Sequence, residues 1–583
     1  MHSFIRNHLF TSLLVFRLLN VCIVQTFTHP DETWQSLEVA HHAVFGYGFI
    51  TWEWRHALRG SAYPMLFALV YKLLLLLRLD DTFLLLAAPY ALVACIAASA
   101  DYATFHFARR LAGARVADWA LLCSAVSFPM GTDIVRPLVN SAETALTAAA
   151  FAFWPWSSRA PAISQEKHKA PLYGVRAPAS LTIALAFAAL ACILRPTSGI
   201  VWLCACASLV FRQPRRLWVS RGVYVGQIAI AIGSVALPAM LAIDRLGYKR
   251  WVFPPYQFYL FNVHNDLATW FGDSHMLYHF FASVPVLFTS MLPFVLHGIY
   301  TSHKRLVAME PAMVAAAVLI LFSMVGHMEY RFVYPLLPIG FAYSAVSMHA
   351  LAGNLPAFTA TPAVPVEELQ HGNANSDPHN PAKKYKKSKK ATVSVRAIVL
   401  YLLVTNVPAI LYVNLVHQRG VIDVLKHLRQ GAQAGNVTGI GFLMPCHSTP
   451  FYSHLHRDIP MWFLSCEPPT ERSALDTHYW EANDFEQTPI EFIREIFSAP
   501  KSGSGSGSGG GGGGEGEGSS SFSRERTRRA QPSHLVLYDC MAKRTQRELE
   551  SIGYHETARF FNTYFSLDSR RKGDIVVFSK TRA

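Results

Sequence analysis

Two stretches of this chain concentrate residue types that can move protons and hold anions. The first is Thr28–Tyr63, THPDETWQSLEVAHHAVFGYGFITWEWRHALRGSAY, which carries His29, Asp31, Glu32, Gln35, Glu38, His41 and His42. The second is His327–Pro335, HMEYRFVYP, with His327, Glu329, Tyr330 and Arg331. Two smaller groups accompany them: Asp133 and Arg136 in Gly131–Pro137 (GTDIVRP), and Arg195 in the Arg-Pro-Thr-Ser junction at 195–198. A carboxylate can take a proton from a hydroxyl, and a guanidinium can hold a phosphate through paired hydrogen bonds. Acids and arginines converging at a membrane surface suit transfer from a lipid-linked phosphate donor to a hydroxyl acceptor. His29, His41, His42 and Glu38 could instead bind a metal, although no HExxH pattern is present.

These residues need elements to position them. Pro30 favours a helix start, because its fixed φ suits the first turn and its missing N–H would be unpaired there anyway. Thr28 and Asp31 have capping-box spacing. A helix starting here puts Asp31, Gln35, Glu38 and His42 on one polar stripe, and Trp34, Leu37, His41, Val44 and Phe45 on a second, mostly apolar one. The helix dipole would keep Asp31 ionised, as a base requires. Spacing alone leaves two readings open: acids aimed into a cavity, or a surface helix with solvated charges.

The chain around them is apolar. Of 583 residues, 51% are hydrophobic and 15% charged, against about 25% charged in a soluble protein. This composition indicates a polytopic membrane protein. The net charge of +14 sits largely in short blocks between apolar segments, where loop orientation accounts for it and nucleic-acid binding is not implied. There is no zinc-type CxxC…CxxC pattern. Cys22, Cys95, Cys123, Cys192, Cys204 and Cys206 lie in apolar segments as packing residues; Cys446, Cys466 and Cys540 lie in the polar C-terminal part, where the first two could pair.

Residues 9–27 read as an uncleaved first span, given the embedded Arg17, Asn20 and Gln25. Further apolar runs lie at 62–78, 83–106, 116–130, 138–156, 178–195, 198–212, 223–243, 280–299, 311–325, 332–351 and 394–416. Basic loops at 107–115, 157–176, 212–221, 301–305 and 383–390 are expected on the cytosolic side. The scheme closes with about 11 transmembrane helices if 62–78 is re-entrant or interfacial. It places loop 28–63 and everything after 417 in the lumen. The expected domains are a transmembrane catalytic domain at 1–416, with a disordered cytosolic loop at 352–393, and a small α/β lumenal domain at 417–583. Strand-like runs at 534–538 and 574–578 mark the latter, and 502–521 is a flexible Gly/Ser insertion. Asn436-Val437-Thr438 is an N-glycosylation sequon.

His29-Pro30-Asp31-Glu32 with Trp34-Gln35, Glu38, Phe45-Gly46-Tyr47-Gly48 and Thr51-Trp52-Glu53-Trp54 resembles the signature of the dolichol-phosphate-mannose-dependent α-mannosyltransferases. His327–Pro335 resembles that family's H-x-E-x-R-F segment. Leu443–His454 (LMPCHSTPFYSH), with Pro460-Met461 and Phe463–Pro469, is similar to the C-terminal region of a branch acting in glycosylphosphatidylinositol (GPI) anchor synthesis. One departure is Asp273–Phe281 (DSHMLYHFF), where the family commonly has P-W-H-W-Y.

The resemblance implies an all-α GT-C fold in the endoplasmic reticulum membrane, with a lumenal active site. It also implies transfer of the third mannose, α-1,2-linked, from dolichyl phosphate mannose to a dimannosyl GPI-precursor glycolipid, with inversion and without a cofactor or metal. Asp31 would be the base and Glu32 would orient the acceptor. Arg331, Arg195 and His327 would hold the donor phosphate. His29, Gln35, Glu38, Trp52, Trp54, Glu329 and Tyr330 would contact the substrates. The alternatives are a mannosyltransferase of lipid-linked oligosaccharide synthesis and, in a different class, a transporter.

Overall fold

The computed structural model describes residues 7–156, 179–303, 306–353, 393–474, 478–498, 526, 528–566 and 568–581. The basic loop 157–176, nearly all of 352–393 with its lysine run, residues 304–305 and the glycine/serine stretch 502–521 lie outside the described residues. The chain divides into two compact units. One comprises Met1–Val24, Gln35–Ala40 and Glu53–Asn414; the other comprises Gln25–Trp34, His41–Trp52 and Leu415–Ala583. The first loop, expected to belong to the membrane domain, is therefore divided between them.

The first unit is helical. Among the described residues, four stretches are long and apolar enough to cross a membrane: Leu84–Ala112, Arg215–Tyr248, His279–Ser302 and Val395–Gln433. Five shorter apolar helices accompany them: Leu9–Cys22, Ala62–Leu76, Ala179–Leu194, Pro196–Phe211 and Met309–Phe322. Several expected runs are shorter as helices because the backbone breaks within them. The run at 280–299 turns at Thr289, where φ is +42°, and the run at 116–130 ends at Val126, three residues before Pro129. Helix Ala62–Leu76 buries Tyr63, Phe67, Ala68, Tyr71 and Leu74 and exposes Leu66, Leu69, Leu73 and Leu76. Its 15 residues rise about 22 Å, less than the ~30 Å hydrocarbon core.

The helices pack closely where side chains are small. Leu84–Ala112 lies against Leu9–Cys22, Ala114–Val126 and Val139–Phe153. It buries Ala94, Ala97, Ala98, Ala100, Ala103 and Ala108 there, the small-residue contact that membrane helices favour. Gly298 lies so near the Tyr343 carbonyl that any Cβ would collide with it, and this sets the approach of helices Leu292–Ser302 and Leu337–Leu351.

Several charged and amide groups inside this bundle are paired. Arg17, fully buried, donates through Nε and Nη2 to both carboxylate oxygens of Asp101 (2.6 and 2.9 Å). Its remaining donors reach Asn20 Oδ1 and the carbonyls of Met130 and Ser124. Asn20 and Asn414 both donate to the Gly131 carbonyl (3.1 and 2.8 Å), and Arg136 donates to the Thr132 carbonyl (2.9 Å). Asp133 accepts from the Tyr334 hydroxyl, and Asn140 donates to the Arg331 carbonyl (3.1 Å). Asp133 and Arg136 are thus buried interior groups, one held by a tyrosine hydroxyl and the other by a backbone carbonyl.

The second unit is an α/β layer around a five-stranded sheet: β1 (Ile440–Phe442), β2 (Met461–Phe463), β3 (His534–Tyr538), β4 (Tyr554–Phe560) and β5 (Ile575–Lys580), in the order β2-β1-β3-β5-β4. β2, β1 and β3 are parallel, whereas β5 runs antiparallel to both β3 and β4. The expected strands at 534–538 and 574–578 form the centre. Alternation splits them cleanly: Val536, Tyr538, Ile575 and Val577 face one cluster with Phe27, Trp34 and helix Gly420–Gln433. Leu535, Leu537, Val576 and Phe578 face another with Phe485, Phe492, Met541 and Leu549.

Replacing Arg17 by Met leaves the Asp101 carboxylate buried without its partner. This should cost about 3–5 kcal/mol and be read as a lower unfolding temperature in detergent. The double variant Arg17→Met/Asp101→Leu should recover part of that loss.

Candidate active site

In the second unit the helix does begin at Pro30. The N–H groups of Thr33 and Trp34 both donate to the Pro30 carbonyl (3.1 and 3.0 Å). The cap, however, is made by Glu32 and not by the Thr28–Asp31 pair. The Glu32 carboxylate accepts from the backbone N–H groups of Thr28 (3.1 Å) and His29 (3.5 Å), whereas Thr28 Oγ1 has no hydrogen-bond partner among the described residues. Glu32 is buried, and its neighbour Asp31 is half-buried. Glu32 therefore holds the turn that carries Asp31. Residues Thr33–Leu37 form a π-turn, which widens the helix and rotates later side chains off the expected 3.6-residue stripe. Gln35 and Glu38 accordingly belong to the first unit, and Asp31 and His42 to the second. Between residues 31 and 45 only Ala43 is exposed, so the reading as a surface helix with solvated charges falls.

Trp34 explains what the LMPCHSTPFYSH segment does. Its indole Nε1 donates to the Thr449 carbonyl (2.9 Å). Its ring lies 4.5 Å from His447, 5.3 Å from Phe451 and 5.2 Å from Phe463 between centroids. The segment follows β1, and Cys466 follows β2. A disulfide joins Cys446 to Cys466 across these adjacent parallel strands, with Cα atoms 5.9 Å apart. Burial pushes the His447 imidazole down to about 4, although the Asp31 charge acts to raise it. His447 is therefore a neutral neighbour of Asp31 at physiological pH.

A second aromatic group holds the far end of the loop. His41 Nε2 and His456 Nδ1 share a hydrogen bond (3.0 Å), with Tyr47 and Phe45 packed edge-to-face against them. Burial, with the His456 charge, takes His41 down to about 3. The metal set of His29, His41, His42 and Glu38 is not gathered. Among the described residues, the one group with ligand atoms within 4.8 Å of each other is Cys446, His447 and Cys466, and its two sulfurs are bonded to each other. Asn436 is exposed, as a glycan would require.

In the first unit three arginines each hold a carboxylate. Arg331 pairs bidentately with Glu329, Arg195 pairs with Glu143 (3.1 Å) and Arg59 with Glu53 (2.6 Å). The charges of Arg331 and Arg59 both act on Arg195, so the three guanidiniums share one locality. Phe332 presents its ring face to Arg195 (4.8 Å). Gln35 donates to Glu53 (3.1 Å). His327 bonds to Glu329 (3.4 Å) and to the Gly272 carbonyl (3.0 Å). Through the latter bond and that from Ser274 N–H to the Gly326 carbonyl (2.8 Å), the divergent Asp273–Phe281 segment backs the HMEYRF turn. Desolvation pushes Glu329 up, but Arg331 and His327 outweigh it and hold the carboxyl well below the usual range. The Glu329 hydrogen bond in turn raises His327 above its ordinary value. Tyr330 is half-buried beside them, with its ring 6.0 Å from Tyr334.

Trp52 and Trp54 are buried, and Trp54 packs against Tyr248 (5.9 Å), so neither indole offers an open face. Sequence reasoning gave no role to Glu53, Arg59 or Glu143. Glu143 had a signal: a carboxylate inside the apolar run 138–156 is costly unless paired.

The fold resembles that of ArnT from Cupriavidus metallidurans, solved bound to undecaprenyl phosphate. The TM-score is 0.54 at 13% identity, covering 98% of this chain and 97% of that one, so the two share a fold. The sequence is more specific. Residues 8–456 match the Alg9-like mannosyltransferase family, and the chain belongs to it. Similar relatives include GPI mannosyltransferase 3 of Yarrowia lipolytica, 34% identical over 97% of this chain and 96% of its own. Mannosyltransferase APTG1 of Arabidopsis thaliana is 31% identical over 98% and 92%, and GPI alpha-1,2-mannosyltransferase 3 of Mus musculus 30% over 96% and 86%. The protein is a multi-pass membrane enzyme that transfers mannose.

Two predictions follow from this geometry. Removing the disulfide with Cys446→Ser/Cys466→Ser opens a loop of sequence separation 20 and should lower stability by about 3 kcal/mol, measured by thermal unfolding of the purified enzyme. The raised His327 contributes stability that is complete below its ordinary pKa and is lost as pH rises through the raised value. Glu329 contributes above the ordinary carboxylate range, down to its depressed value. Moving from pH 6 to pH 8, conditions bracketing a histidine's ordinary ~6.5, should therefore destabilise the wild type more than His327→Gln.

Proposed function

We propose that the protein adds the third mannose of the GPI core, in α-1,2 linkage, from dolichyl phosphate mannose to a dimannosyl precursor. The reaction takes place at the lumenal face of the endoplasmic reticulum membrane. Near-full-length similarity to relatives named GPI mannosyltransferase 3 carries this reading and favours it over lipid-linked oligosaccharide synthesis. The seating of Trp34 on the Leu443–His454 segment supports it, because that segment is what distinguishes the GPI branch.

The donor is β-linked and the product α-linked, so one displacement with inversion suffices. Asp31 takes the proton of the acceptor hydroxyl. The hydroxyl oxygen bonds to the anomeric carbon as the bond from that carbon to the phosphate oxygen breaks, and the electron pair leaves with dolichyl phosphate. Glu32 holds the turn that aims Asp31. Arg331 and Arg195, with His327, take the negative charge of the leaving phosphate. Phosphate monoesters leave readily, so the reaction requires neither a general acid nor a metal. Gln35, Glu38, His29, Glu329 and Tyr330 line the substrate path, and the lumenal topology with about eleven spans belongs to the same proposal.

A strain lacking the protein should accumulate a GPI precursor stopped at two mannoses. Asp31→Asn, expressed at normal level, should fail to relieve that block, with transfer in microsomes reduced about 10²–10⁴-fold. Normal transfer by that variant would remove Asp31 from the mechanism, and a full-length GPI lipid in the deletion strain would overturn the assigned reaction.

A further inference from the structure

Among the described residues from 415 onward, four large hydrophobic side chains are exposed: Ile490, Phe561, Tyr564 and Phe565. Three of them share one loop, the β4–β5 connection at 561–574. Tyr564 is 80% and Phe565 61% exposed. A soluble surface does not collect bulky aromatic side chains in this way without a partner.

The position of the loop says which partner. Arg419 N–H donates to the Asn562 carbonyl (3.2 Å), His417 bonds to the Thr563 hydroxyl (2.9 Å), and the His417 ring lies 5.6 Å from that of Phe565. At Gly420 an added Cβ would meet the Phe561 carbonyl at 2.8 Å, so no larger residue fits there. Residues 417–420 come directly after helix Val395–Leu415, which lies in one of the stretches long and apolar enough to cross a membrane. At about 3.5 Å per residue, His417 is within about 7 Å of the helix end. Phe27, five residues after helix Leu9–Cys22, also donates to this turn, at the Gln418 carbonyl (3.3 Å). The aromatic loop is fastened where the chain leaves the bilayer.

Its chemistry fits that depth. Phe and Tyr beside cations are the composition of a membrane–water interface. Asp568 is occupied by Arg570 through both oxygens (2.9 Å each). Lys572 is exposed, and its ammonium can meet lipid phosphates.

We propose that Phe561, Tyr564 and Phe565 insert into the headgroup layer of the bilayer and hold the second unit against the membrane surface. The loop joins the sheet at the edge where Tyr538 pairs with Ile575. Because β1 runs parallel to β3, the Leu443–His454 segment leaves the sheet at this same edge. Lipid contact here therefore sets the height of the Trp34 seat above the bilayer. It stands apart from the sugar reaction and is read without it.

The test is photo-crosslinking of the full chain reconstituted in nanodiscs containing photoactivatable phosphatidylcholine, with adducts mapped by mass spectrometry. Lipid adducts on the peptide spanning 561–565 are expected, and Phe561→Ser/Tyr564→Ser/Phe565→Ser should lose most of them while helix Trp218–Tyr248 labels normally. Tyr564→Ser alone, at the most exposed position, should reduce them without disturbing the fold. Absence of adducts on this peptide when Trp218–Tyr248 is labelled would overturn the proposal. So would protein–protein crosslinks there in place of lipid.

Discussion

Arg17 sits on a helix of largely apolar residues with no exposed surface, and a guanidinium carries five N–H donors that must be met without water. All five are met: two by Asp101, one by Asn20 and two by the carbonyls of Met130 and Ser124. Satisfying them clamps the middle of helix Leu84–Ala112, the end of helix Ala114–Val126 and the turn at 127–132 to the first helix. That turn then offers its Gly131 carbonyl to Asn20 and Asn414, and its neighbour Asp133 reaches Tyr334 in the HMEYRF segment. A chain of buried polar contacts thus runs from the first helix to the backbone of Arg331, which Asn140 holds by its carbonyl. An interior of this kind tolerates few arrangements, because each alternative leaves a donor or a carboxylate unpaired.

The second unit solves a similar problem with aromatic packing. The Asp31 turn is short and contains a π-distortion, so it has little stability of its own. Glu32 fixes its first turn from below, and Trp34 plugs it into a pocket of His447, Phe451 and Phe463. The disulfide between Cys446 and Cys466 constrains the walls of that pocket. Two sequence motifs more than four hundred residues apart (Trp34 and Thr449 are separated by 415) therefore act as one local structure.

Much of this was legible in the sequence. The helical membrane class followed from composition, the helix start from Pro30, the central strands from alternation, and the Cys446–Cys466 pair from its place in the polar C-terminal part. What escaped has physical reasons. β1 and β2 have three residues each, too few for any period to show, and β4 carries His, Glu and Arg because it is an edge. The acid stripe assumed a uniform 3.6-residue turn, which the π-segment at 33–37 breaks. That Glu32 also caps the turn was not legible, because only the backbone N–H groups of Thr28 and His29 reveal it. Glu53 and Arg59 were invisible as a pair because helix Trp52–Arg55 ends between them and irregular chain follows.

The three arginine–glutamate pairs have a consequence for turnover. None of these cations waits with an empty partner site: each already rests against a carboxylate. On the proposed path, a phosphate arriving at Arg331 or Arg195 would compete with a glutamate that stays covalently close, ready to return. The resident anion would weaken the hold on substrate and would also limit how tightly the charged lipid product is kept. A site built from bare arginines would bind the donor harder and release the spent carrier more slowly.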